Sequence, residues 1–132
     1  MINIILGIFQ ILIAVGIIGF WISFFKGDNS NMSEVELKHE KSFPLPDLGW
    51  VAPTNIIAAI GLLTGQSFGF LFSVIAGSGM MFLGLIDLAF LLQNEGFDPK
   101  RRGFDAYVSM VIVSLMLILG PIFIIYGGIN LI

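Results

Sequence analysis

A chain of 132 residues that is 57% hydrophobic, 11% charged and of mean hydropathy +0.99 cannot cover a water-facing surface, since soluble domains carry about 25% charged residues. Its net charge of −3, with six basic residues and no basic stripe, argues against nucleic acid as a partner. The absence of cysteine excludes structural disulfides, thiol catalysis and thiolate metal centres. The expectation is one all-α domain with lipid as its solvent: a membrane-embedded, antiparallel four-helix bundle.

The first apolar run, "MINIILGIFQILIAVGIIGFWISFF", predicts a helix over about residues 2–25. It has no Lys or Arg ahead of it, is long for a leader and lacks a small-x-small site, so it reads as a retained transmembrane helix. Asn3, Gly7, Gln10, Ala14 and Trp21 share one of its faces. Gln10 is expected to make an interhelical hydrogen bond in the outer half of the bundle.

The connection over residues 26–45 is the one sizeable aqueous segment. Within it Ser33 stands three residues before Glu36, a capping-box spacing, which predicts a short solvated helix over 34–41. His39, the chain's single histidine, lies there. In a polar loop it is not expected to serve as a haem or metal ligand.

The second span, 46–64, is entered through "FPLP". Asp47 at its mouth reads as an N-terminal cap favoured by the helix dipole. Thr54, Ala58, Gly61 and Gly65 follow on the same stripe, with Asn55 beside it, and "GLLTG" offers a small-residue packing motif. In the third span, 68–92, Gly69, Ser73, Gly77, Met80, Gly84, Asp87 and Asn94 recur at steps of three, four or seven. That stripe turns Asp87 toward the protein and away from lipid. The connection over 93–103 contains "FDPKRRGFD", in which Asp98 caps a turn opened by Pro99. The fourth span, 104–132, contains Gly120-Pro121 as an expected kink. Tyr107 and Ser114 share a face there, with Asp105 and Ser109 on a neighbouring one.

All six basic residues fall in the connections 26–45 and 93–103. By the positive-inside rule those connections are cytoplasmic and both termini lie outside, in a cell (cytoplasmic) membrane crossed four times. Counting 1.5 Å per residue, Asp87 and Ser109 each lie about 8 Å inside the inner boundary, and Asn55 about 12 Å. Depth and face together predict an inner-leaflet cluster of Asp87, Asn55, Ser109, Tyr107 and Trp21. An intramembrane carboxylate costs about 2.5 to 3.5 kcal/mol on insertion scales, so Asp87 needs a partner or a task. Arg101 and Arg102 are near enough to snorkel to it. The alternative makes Asp87 the anionic end of a ligand pocket.

The segments "FPLPDLGWVAPTNIIAAIGLLTG" and "GSGMMFLGLIDLAFLLQNEGF" resemble a family of small prokaryotic four-span integral membrane proteins. In that family a Leu-Pro-Asp opens the second helix, and Gly-Leu-hydrophobic-Asp followed by Leu-Gln-Asn closes the third. The resemblance covers about a third of the chain. It implies that Asp47, Asp87, Gln93 and Asn94 belong to one design, and it lends no activity.

No nucleophile–base pair or paired-carboxylate spacing points to an enzyme, and nothing in the sequence asks for a cofactor or a metal. The expected function is binding, extending to transport, of a small amphiphilic or lipidic ligand in the inner-leaflet polar pocket. The alternative is a structural or accessory subunit of a membrane complex. Membrane lipids are the expected partners, alongside a second copy of the chain or another membrane protein.

Overall fold

The computed structural model describes residues 1–30 and 32–132. It is 84% helical, with no strand among the described residues. The order is α1 (Ile2–Lys26), α2 (Glu34–Glu40), α3 (Pro44–Pro46), a π-helical turn (Asp47–Val51), α4 (Ala52–Leu63), α5 (Phe68–Gln93), α6 (Pro99–Arg102) and α7 (Phe104–Leu131). Among the described residues, four segments are long and apolar enough to cross a membrane: α1, the run Glu34–Leu63 that ends in α4, α5 and α7. Successive spans pack antiparallel, α4 lying against both α1 and α5, and α5 against α7 in the most extensive pair.

Outward faces are oil. Ile4, Ile8, Leu12 and Val15 of α1, or Val111, Leu115, Ile118 and Ile122 of α7, are exposed, as expected where lipid tails replace water. The inward faces are small or polar. Leu6, Gly7, Gln10, Ala14 and Trp21 are buried on α1, and Gly69, Ser73, Ala76, Gly77, Met80 and Gly84 on α5. On α7 the buried set is Ala106, Val113, Gly120, Phe123 and Gly127. Tyr107, Ser114 and Asp105 lie off that face and are exposed. The polar residues therefore do not mark α7's inward side. A seven-residue recurrence of mostly small side chains does, because α7 must approach α5 closely. A Cβ on Gly77 would stand 2.4 Å from the Gly120 carbonyl oxygen, so no larger residue fits this crossing.

The two glycines of "GLLTG" do different work. A Cβ on Gly61 would lie 2.4 Å from the Gly69 backbone, so α4 and α5 touch there through main chain. Gly65 instead adopts φ +70 to end α4. Its N–H and that of Gln66 return to Leu62 O and Gly61 O, which satisfies carbonyls the helix end would leave bare.

The π turn has a local cause. Pro53 has no N–H, and its ring crowds the carbonyl four residues back. Widening the preceding turn makes room, and the Ala52 N–H reaches five residues back to Asp47 O. α7, by contrast, runs through Pro121 as one α-helix rather than breaking there. Toward the termini, Gln10 Nε2 donates to Ser73 Oγ at 2.9 Å, which donates onward to Gly69 O at 2.7 Å. Tyr126 donates to Asn3 Oδ1, tying α7 to α1.

Candidate functional site

The two long connections meet at one end of the bundle, and α2 is the piece that closes it. Ser33 accepts the Glu36 N–H at 3.2 Å and starts the helix. Glu36, His39, Glu40 and Phe43 then follow at i, i+3, i+4 and i+7, which sets them on one face. These four are buried or half-buried, while Lys38, Lys41 and Ser42 are exposed. A helix made largely of polar residues thus lays an inward face on the bundle.

Each residue of that face has a defined environment. Glu36 pairs with Arg101 of α6, joining the first connection to the third. His39 Nε2 lies 3.0 Å from Asp87 Oδ1, with the two side chains only 12% and 18% exposed. The imidazole is stacked on Phe90, ring centroids 3.6 Å apart and planes 5° from parallel, with Phe43 edge-on at 4.8 Å. Two aromatic rings therefore fix the ring plane that aims Nε2 at Asp87. Glu40 has no hydrogen-bond or ion-pair partner among the described residues. α2 stands at the start of the run Glu34–Leu63.

Asp87 therefore has a partner, and it is neither arginine. Arg101 is committed to Glu36, while Arg102 donates to Gly96 O at 2.8 Å and to Ser109 Oγ at 2.9 Å. His39, which the sequence leaves in a solvated loop, comes back to the bundle across 48 residues. Among the described residues, Asp47 caps no backbone group. Its Oδ2 accepts the Trp21 indole N–H at 2.9 Å, linking α1 to the π turn, and its Oδ1 is buried without a partner.

The expected cluster of Asp87, Asn55, Ser109, Tyr107 and Trp21 is divided among separate contacts. Trp21 goes with Asp47 and Ser109 with Arg102. Asn55, 0% exposed, donates to Val51 O at 2.8 Å and to Met80 Sδ at 3.7 Å, leaving Oδ1 unpartnered. Tyr107 is 53% exposed and turned outward beside Phe104 and Val111. Of the two helix-end residues, Gln93 is exposed, and Asn94 closes α5 by donating to Phe90 O at 2.9 Å.

One open groove adjoins this end. Its volume is about 630 Å³, and it runs between Pro46 and Trp50 on one wall and Val74, Ser78, Phe82 and Leu83 of α5 on the other. Gly79 forms part of its floor, close to the Trp50 ring. Pro46 in its wall is next in sequence to Asp47, and Leu83 stands one helical turn from Asp87, while the two carboxylates themselves are turned to Trp21 and His39. No family model, curated protein or solved structure matches this chain.

Proposed function

We propose that this protein binds a small amphiphile, its acyl or alkyl chain lying in the groove along α5 and its head turned to the acidic end near Asp47 and Asp87. The observation that carries this reading is the groove itself. It is apolar, of a size within the usual ligand-site range of about 300–1,000 Å³, and it opens onto the lipid-facing surface. Ser78 and the Trp50 indole are its polar handles. The placement of all six basic residues in the first and third connections supports a cytoplasmic setting for this end, with both termini outside a prokaryotic cytoplasmic membrane. Transport of the amphiphile is an extension of the same reading. The second reading, a structural or accessory subunit, is favoured by the fact that Asp87, Asp47 and Glu36 already have partners within the protein.

Trp50 supplies the test. It is 55% exposed and borders the groove, whereas Trp21 is buried. A fatty-acyl amphiphile brominated along its chain is expected to quench Trp50 saturably in detergent. Gly79→Leu should remove the saturable part. A Cβ there meets the Trp50 ring at 3.4 Å and Val51 Cγ2 at 3.9 Å, both side chains at ordinary contact distance, so the substitution fills the groove without splitting α5 from a neighbouring backbone. Quenching that rises linearly with amphiphile, or that Gly79→Leu leaves unchanged, overturns the reading in favour of the structural one.

A further inference from the structure

The inward face of α2 meets Asp87 of α5 in a set of donors that does not line the groove. We propose that His39, Glu40 and Asp87 form a binding site for a first-row transition-metal dication. Their ligand atoms, one imidazole nitrogen and two carboxylate oxygens, all lie within 4.8 Å of one another. Ligands held at about 2.0–2.2 Å from one ion stand about 3 to 4.4 Å apart. His39 Nε2 and Asp87 Oδ1 already have that spacing at 3.0 Å, and Glu40 needs only a small side-chain adjustment. Glu40 is also the member with no protein partner among the described residues. Neither nearby arginine bonds to it: Arg101 pairs with Glu36, and Arg102 donates to Gly96 O and Ser109 Oγ.

The surroundings favour a site over a chance approach of side chains. The donors come from two elements, α2 and α5, that meet only in the folded chain. Phe90 and Phe43 hold the imidazole in place and supply an apolar wall, and an apolar shell of this kind limits solvent access to a bound metal. The donor chemistry selects the ion. One imidazole with two carboxylates suits Mn²⁺, Fe²⁺, Co²⁺ or Zn²⁺ better than Ca²⁺ or Mg²⁺, which take all-oxygen sites, or Cu(I), which takes sulfur. Three protein ligands leave coordination positions open to water. The chain's only histidine, read from sequence as a loop residue, thus becomes the nitrogen donor. This inference rests on the α2–α5 contact and stands whether or not the groove holds an amphiphile.

Cobalt tests it. Full-length protein in detergent, stripped with chelator, is titrated with Co²⁺ while the visible d–d bands are followed, and Zn²⁺ is then added in competition. The expected result is one Co²⁺ per chain, displaced by Zn²⁺, with bands lost in His39→Ala and affinity lowered about ten-fold or more in Glu40→Gln. Gly79→Leu should bind Co²⁺ as the unsubstituted protein does, which separates this site from the groove. Should His39→Ala fail to fold, Glu40→Gln carries the test, because Glu40 makes no side-chain bond that the fold needs. No Co²⁺ uptake, or uptake that neither variant changes, overturns the site.

Discussion

Gly77→Leu is expected to lower the melting temperature of the bundle sharply, and Gly128→Leu to leave it unchanged. Both glycines lie in long spanning helices, and both changes add the same apolar volume. At Gly77 even the first added carbon would sit 2.4 Å from the Gly120 carbonyl oxygen and 3.0 Å from Phe123 Cβ. The obstacle is backbone rather than the end of a flexible side chain, so α5 and α7 must separate along their most extensive contact. Overpacking a core typically costs about 1–3 kcal/mol. A backbone collision at this crossing belongs at or above the top of that range, against a total stability of about 5–15 kcal/mol. At Gly128 nothing lies within 4 Å, and the new side chain projects into lipid at a cost within about 0.5 kcal/mol. Thermal melts of the two variants in one detergent check this, and equal melting temperatures would contradict the assigned crossing.

Asp87→Leu is expected to speed tryptic cleavage at Lys38 and Lys41 about ten-fold or more while changing the melting of the four spans little. The two effects separate because they draw on different terms. Replacing a carboxylate by leucine in a spanning helix removes an insertion cost of about 3 kcal/mol, which offsets lost contacts in the bundle as a whole. The same change leaves the half-buried His39 imidazole facing a methyl group, and an unpartnered polar group costs about 1–3 kcal/mol. That cost falls on the docking of α2. Local opening, which proteases report, therefore rises by the ten-fold that 1.4 kcal/mol represents. Asp87→Asn keeps a polar partner for Nε2 and should give a smaller increase. If cleavage in Asp87→Leu matched the unsubstituted protein, the His39–Asp87 bond would not hold α2 in place.

The spans and the inward faces of α1, α4 and α5 were legible because membrane packing selects small and polar residues, and these recur visibly at helical spacing. Gly69, Ser73, Gly77, Met80 and Gly84 form such a row and are all buried. The inward face of α7 was not legible in the same way, because its polar residues do not mark it. Tyr107 and Ser114 sit on a lipid-facing side, while Ala106, Val113, Gly120 and Gly127 carry the packing at a seven-residue repeat. The partner of Asp87 was not visible by proximity along the chain. The basic residues nearest in sequence, Arg101 and Arg102, are held by Glu36 and Ser109, and the true partner comes from a helix folded back under the bundle. A signal for it did exist. Glu36, His39, Glu40 and Phe43 recur at i, i+3, i+4 and i+7, a periodicity that a helix solvated on all sides does not need. Asp47 escaped for another reason. A π turn forced by Pro53 turns its side chain to Trp21, and propensity rules for helix starts contain no such turn.

Native mass spectrometry of mildly extracted protein tests the amphiphile reading most directly. The unsubstituted chain should carry one bound amphiphile that survives gentle activation, and the Gly79→Leu chain, folded to the same extent, should appear bare. A bare unsubstituted chain, or the same adduct on both, would contradict it.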